Sequence, residues 1–138
     1  MERIEYISKG PSETWDVGER IGKEARRGDL YAIYGELGTG KTQLVKGIAR
    51  GIGIKDWLYV TSPSFTIMNI YEGDLTLCHI DLYRIEGYDV EGLNIEEYLE
   101  EGVVAVEWAE RNTWWNGAIK VYIDAISEGE RRITITRT

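Results

Sequence analysis

The octapeptide Gly35-Glu36-Leu37-Gly38-Thr39-Gly40-Lys41-Thr42 follows the apolar run Leu30–Tyr34 and leads into Gln43–Arg50, whose apolar residues Leu44, Val45, Ile48 and Ala49 recur at helical spacing. Strand, glycine loop and helix, in that order, give the spacing G-x-x-x-x-G-K-[ST] the setting of a phosphate-binding loop. The reason is physical. Glycines let successive backbone N–H groups turn inward and come close to an anion. A helix starting near Lys41 adds unpaired first-turn amides and the positive end of its dipole. Lys41 brings a full charge to the β- and γ-phosphates of a nucleotide, and the Thr42 hydroxyl is placed to ligate Mg²⁺.

The 138 residues suffice for one domain, residues 1–138, with a single core. No apolar run approaches the length needed to span a membrane, and Met1-Glu2-Arg3-Ile4-Glu5 lacks the apolar stretch of a signal peptide, so a cytoplasmic protein is expected. The single cysteine, Cys78, excludes an internal disulfide and a cysteine-based zinc site. A net charge of −8, from 24 acidic and 16 basic residues, opposes a broad nucleic-acid interface on this chain. Holding a polyanion against that field requires local cations: Lys41, a metal ion, and Arg84 or Arg111 as further candidates. Five Trp and nine Tyr against one Phe suit partly buried surfaces, although core packing explains most of them equally well.

Working outward, Ile4–Ile7 alternates as an edge strand would. Pro11 and Ser12 open a helix with Ser12 as N-cap, an inner stripe of Trp15, Gly18, Ile21, Gly22 and Ala25, and an end at Arg26-Arg27-Gly28. Beyond the glycine-loop helix, Ile52–Tyr59 is ambiguous and Thr61-Ser62-Pro63-Ser64 is a loop. Phe65–Tyr71 alternates, Glu72-Gly73-Asp74 is a hairpin turn, and Leu75–Ile80 is a strand with Asp81 at its end. Tyr83–Asn94 is loop or irregular helix, and Ile95–Glu101 a short acidic helix closed by Gly102. Val103-Val104-Ala105-Val106 reads as a strand buried on both faces, and Ile119–Ile126 with Arg132–Arg137 as a C-terminal β-hairpin. The expected fold is α/β: a P-loop NTPase-like mixed, mostly parallel sheet flanked by helices, with the glycine loop at the carboxyl end of a central strand.

Such a loop needs an acidic partner at a neighbouring strand end to hold Mg²⁺ or its water shell. Glu107 follows the cleaner apolar run and Asp81 a less apolar one, Leu77-Cys78-His79-Ile80. Glu107 is the favoured metal ligand, direct or water-bridged; Asp81 would orient the attacking water or serve the metal's outer shell. His79, the only histidine, has no evident second ligand and reads as packed or hydrogen-bonded rather than zinc-binding. Ser62, Ser64 and Thr66 read equally well as a hydroxyl-rich sensor of a γ-phosphate or as a hydrated proline turn.

The octapeptide, followed by Ser62-Pro63-Ser64-Phe65-Thr66, His79-Ile80-Asp81-Leu82-Tyr83-Arg84 and Val106-Glu107-Trp108, resembles the TsaE (YjeE) family of small P-loop ATPases. The H-x-D-L-Y-R and V-E-W elements are more specific than the glycine loop, and the resemblance runs from Ser12 to Trp108. It implies Mg²⁺-dependent ATP binding and slow hydrolysis in support of N6-threonylcarbamoyladenosine formation in tRNA, together with a TsaB–TsaD pair. By the same resemblance Thr42 and Glu107 correspond to the Mg²⁺ ligands, and Asp81 to an acidic residue needed for activity. Ser12–Thr14 would lie near the adenine. The resemblance also implies that tRNA is reached only through the partners, which removes the conflict with an acidic chain. Trp108 becomes a candidate contact or gate beside the nucleotide, and Arg84 a site or interface residue.

A small-molecule kinase is the alternative, since many consist of one phosphate loop on a small α/β domain. It would need an acceptor pocket and usually a lid with several arginines, whereas Arg131 and Arg132 lie on the distant tail. A GTPase would carry an N/T-K-x-D guanine reader, and the sequence has none. A nucleotide sensor that binds without turnover is the third class.

Overall fold

The computed structural model describes residues 2–63, 67–83, 92–111 (Arg111 by its backbone only) and 117–137. The expectations placed on Ser64, Phe65, Thr66, Arg84 and the Arg111 side chain lie outside the described residues. The described residues form seven strands: β1 Glu2–Ser8, β2 Leu30–Tyr34, β3 Met68–Tyr71, β4 Thr76–Asp81, β5 Gly102–Glu107, β6 Ile119–Ala125 and β7 Arg131–Arg137. Among the described residues three α-helices accompany them, α1 Pro11–Lys23, α2 Lys41–Gly51 and α3 Ile95–Glu101, with 3₁₀ turns at Trp57–Tyr59 and Ala109–Arg111.

The strands form one sheet in the order β1-β7-β6-β2-β5-β4-β3. β2 is central and runs parallel to β5 and β6, and β4 runs parallel to β5. The hairpin partners β3 and β7 and the edge strand β1 are antiparallel. The expected mixed, mostly parallel α/β sheet with a C-terminal hairpin is therefore present. Side chains alternate between faces along a strand, and this sorts the core. Tyr31 and Ile33 of β2, Leu77 of β4 and Val103 and Ala105 of β5 pack beneath α1 and α2. Cys78, Ile80, Val104 and Val106 face the other way with Ile95, Tyr98 and Leu99 of α3. The same alternation sends His79, Asp81 and Glu107 to the α1/α2 side.

α1 differs from the reading of its ends. Its N-cap is Gly10, not Ser12, and no side chain caps it; the Gly10 carbonyl accepts from the Glu13 and Thr14 N–H groups at 3.1 Å each. Pro11 explains the shift: its fixed φ and missing N–H suit the first helical position, which pushes the cap back by two residues, to Gly10. The buried face is Thr14, Val17, Gly18, Ile21 and Gly22, so Trp15 and Ala25 are less buried than the expected stripe. The helix stops at Lys23, and the chain turns through Gly28 at φ 96 into β2. In the ambiguous Ile52–Tyr59 stretch the regular element is the 3₁₀ turn at Trp57–Tyr59, and β3 starts at Met68, later than expected.

α1 and α2 meet through glycines. A Cβ on Gly18 would lie 2.4 Å from the Leu44 carbonyl oxygen and 2.7 Å from Gly47 Cα; one on Gly51 would lie 2.7 Å from Gly22 Cα. These are backbone-to-backbone contacts with no room for a side chain. They hold α2, whose first residue is Lys41, against α1. Among the described residues no helix is long and apolar enough to cross a membrane.

Candidate functional site

β2 ends at Tyr34 and α2 begins at Lys41, so the glycine loop leaves the carboxyl end of the central strand as expected. Gly38 and Gly40 sit at φ 82 and φ 105, the left-handed region that glycine enters without steric cost. Thr39 closes the loop internally, donating its hydroxyl to the Glu36 carbonyl at 2.8 Å. Glu110 comes from beyond β5, and its carboxylate accepts from the Gly35 N–H at 3.3 Å.

Lys41 is folded back on this loop. Its Nζ donates to the carbonyls of Gly35 at 2.6 Å and Glu36 at 2.9 Å, and lies 3.9 Å from the centre of the Trp108 ring. The side chain is only 5% exposed, so the lysine is buried rather than projecting freely. Loss of hydration lowers its pKa below the usual lysine value, while Glu107, Glu110 and Asp81 act in the opposite direction. Trp108 reaches this position because its backbone turns out of β5 at φ 59, and its ring rests 4.9 Å from that of Tyr83.

The carboxylates come from register. β4 and β5 pair Asp81 with Glu107, so both side chains stand at adjacent strand ends on one face. The Thr42 hydroxyl lies 3.0 and 2.9 Å from the two oxygens of Glu107. His79 enters from the same face of β4, two residues before Asp81, with Nε2 2.5 Å from Glu107 Oε2. The ring is fully buried, and its Nδ1 has no hydrogen-bond partner. This arrangement assigns the ring proton to Nε2, donating to the carboxylate. His79 is thus the hydrogen-bonded residue expected, with a specific partner. Asp81 is held separately: Ser62 donates its hydroxyl at 2.5 Å and Tyr83 its backbone N–H at 2.9 Å.

Lys41, Thr42, Asp81, Glu107 and Trp108 all line one cleft of about 540 Å³, with Leu37, Gly38 and Gly40 along its rim. That size falls within the ~300–1,000 Å³ typical of small-ligand sites. The structure therefore brings together Lys41, Thr42, Asp81 and Glu107 as the sequence suggested. The Thr14 hydroxyl is buried 2.7 Å from that of Ser8.

Two further contacts, beside those of His79 and Glu110, escaped the sequence reading. Gln43 accepts from the Trp15 indole at 2.6 Å, linking α2 to α1. Arg131 is not distant: its Nε donates to the Thr39 carbonyl at 3.0 Å. The hairpin β6–β7 returns it to the loop end of the sheet, which only the strand order reveals.

A glycine loop between a central parallel strand and a helix, faced by carboxylates on neighbouring strand ends, defines an α/β protein of the P-loop NTPase-like class. A family model described as threonylcarbamoyl adenosine biosynthesis protein TsaE matches residues 8–133. The chain is 38% identical over 130 residues to the tRNA threonylcarbamoyladenosine biosynthesis protein TsaE of Nostoc sp., covering 89% of this chain and 79% of that one. It is 35% identical over 134 residues to the protein of the same name from Aquifex aeolicus, covering 96% of each. The crystal structure of Bacillus subtilis YdiB superimposes with a TM-score of 0.76 at 31% identity, over 99% of this chain and 86% of that one. The chain belongs to the TsaE family.

Proposed function

We propose that residues 1–138 form a single Mg²⁺-dependent ATPase domain that supports N6-threonylcarbamoyladenosine formation in tRNA, in the cytoplasm, together with a TsaB–TsaD-type complex. The observation that carries the reading is the Thr42 hydroxyl on the Glu107 carboxylate at 2.9 and 3.0 Å, one residue from Lys41. The family supports the pathway. The acidic chain supports tRNA contact through partners rather than directly.

The donor set fits Mg²⁺. Among the described residues no group of three or more His, Cys, Asp or Glu side chains is arranged to hold a metal alone. A hydroxyl and a carboxylate are hard oxygen donors, and Mg²⁺ is commonly bound by one or two carboxylates plus substrate phosphates. Thr42 and Glu107 would hold the ion, which supplies charge neutralisation on the phosphate oxygens. Gly35, Glu36, Leu37, Gly38, Thr39 and Gly40 provide the backbone cradle, and Lys41 exchanges its loop carbonyls for phosphate oxygens. Asp81, fixed by Ser62 and Tyr83, is the group placed to orient a water. Trp108 and Tyr83 cover one side of the cleft.

The test is phosphate release from ATP by the purified chain, with Mg²⁺ or with EDTA, alone and with the partner complex. Slow Mg²⁺-dependent turnover that the complex accelerates supports the proposal. Turnover that appears only with a small-molecule acceptor would replace it with the kinase reading.

A further inference from the structure

Arg131 opens β7, and its guanidinium is committed to peptide oxygens. Nε donates to Thr39 O at 3.0 Å and Nη2 approaches Gly38 O at 3.4 Å. Nη1 gathers the turn between β6 and β7, reaching Ser127 O at 2.9 Å, Glu130 O at 3.0 Å and Glu128 O at 3.3 Å. A planar fork of donors fixes the direction of several carbonyls at once, which a flexible ammonium does not.

We propose that Arg131 is a positioning residue for the glycine loop, clamping its conformation to the β6–β7 turn. The inference rests on the phosphate-binding reading of that loop for its functional consequence, though not for its structural one. The C=O of Thr39 and the N–H of Gly40 belong to one planar trans peptide and point in opposite directions. Holding the Thr39 carbonyl against Nε therefore turns the Gly40 N–H away from the guanidinium. The Gly38 carbonyl and Thr39 N–H are related in the same way, through the looser 3.4 Å contact. Gly38 and Gly40 border the cleft.

The loop needs such a clamp because its glycines permit its shape without enforcing it. Glycine occupies positive φ about as readily as negative φ, so φ 82 at Gly38 and φ 105 at Gly40 carry no intrinsic stiffness. An external group that fixes the peptide planes removes conformational freedom before an anion arrives, and binding then loses less entropy. The neighbouring Arg132 provides the contrast. Its Nε pairs with Glu5 at 2.7 Å, both side chains being about half exposed, and it touches β1 rather than the loop.

The experiment compares wild type with Arg131→Ala, Arg131→Lys and Arg132→Ala. Backbone amide hydrogen exchange is measured in the ligand-free chain, and ADP affinity by calorimetry. Arg131→Ala should exchange at least tenfold faster at Thr39, whose N–H donates to the Glu36 carbonyl at 3.3 Å, with β2 and β5 unchanged, and should bind ADP at least tenfold more weakly. Arg131→Lys keeps the charge without the fork and should fall between; Arg132→Ala should match wild type in both readouts. Wild-type exchange at the loop in Arg131→Ala overturns the clamp. Should that variant fail to fold, Arg131→Lys decides: faster loop exchange with intact strands supports the clamp, and unchanged exchange overturns it. A wild-type chain that binds no ADP overturns the phosphate-binding reading, and the exchange data still decide the clamp.

Discussion

His79 and Glu107 face each other across adjacent parallel strands, Nε2 to Oε2 at 2.5 Å, with the ring wholly buried and the carboxylate nearly so. A buried carboxylate needs donors, and Glu107 takes them from His79 and Thr42, both within reach of Oε2. Its orientation is therefore set before any ligand arrives. His79→Ala should destabilise the fold by about 1–3 kcal/mol, the usual penalty for stranding a buried polar group. Urea unfolding measures this. Unchanged stability would mean that Glu107 finds water in place of the imidazole.

Lys41→Ala tests the loop cation. In the ligand-free chain the ammonium has lost hydration and regained two carbonyls and an aromatic face. Those terms oppose one another, so the melting temperature should move by only a few degrees. Nucleotide binding should disappear. A folded variant that binds ATP as wild type does would remove the glycine loop from the proposal.

The two carboxylates are separable because different groups hold them. Glu107→Gln replaces an ionised oxygen beside Thr42 with an amide and should weaken Mg²⁺-dependent nucleotide binding tenfold or more. Asp81→Asn keeps the backbone N–H of Tyr83 within reach and should retain binding while losing hydrolysis. Calorimetry with and without Mg²⁺, alongside single-turnover phosphate release, distinguishes the two. The reverse pattern would exchange their roles.

Gly18→Ala should destabilise the chain although alanine favours helices. The new methyl would stand 2.4 Å from the Leu44 carbonyl oxygen and 2.8 Å from the Ile48 amide nitrogen, both backbone atoms of α2. Overpacking of this kind costs about 1–3 kcal/mol, more than the ~1 kcal/mol of helix propensity gained. Thermal unfolding of Gly18→Ala beside an exposed control such as Gly129→Ala, where an added Cβ meets nothing within 4 Å, checks it. Equal melting temperatures for Gly18→Ala and wild type would show that the helices can part freely.

Partner docking and nucleotide state should be coupled. The cleft is open and bordered by Leu37, which is 75% exposed, and no arginine finger from a lid reaches it among the described residues. Loss of an arginine finger is worth about 10³–10⁵ in rate, so hydrolysis by the isolated chain should be slow. If the complex closes the site, ATP must strengthen docking by the same factor that docking strengthens ATP. Affinity for the complex is measured with ADP, with a non-hydrolysable ATP analogue and without nucleotide. Three equal affinities would disprove the coupling.

Most of the elements were legible because their signals are local. Leu30–Tyr34, the helix after the glycine loop, Ile95–Glu101 and the C-terminal hairpin each carry their own periodicity and punctuation. The pairing of Asp81 with Glu107 was half legible: each could be placed at a strand end, but their adjacency depends on β4 and β5 being neighbours. Strand order is a long-range property, and it hid Arg131, which looked remote in sequence and lies against Thr39 in space. It also hid the tie between His79 and Glu107. The Ser12 cap failed for a local reason, since Pro11 competes for the helix start. The glycines of α1 were read as part of its inner stripe; that α2 answers with Gly47 and Gly51 follows only from the packing.

The sheet order has a consequence in time. Synthesis delivers β1, β2 and the glycine loop first, but β1 pairs with β7, and β2 lies between β5 and β6. A nascent chain emerging from the ribosome thus carries its glycine loop, complete at Thr42, without either strand that flanks β2 until β5 begins at Gly102. Such non-local pairings fold slowly and leave strand edges exposed meanwhile. The first strand to be made waits for the last, since β1 pairs with β7 alone.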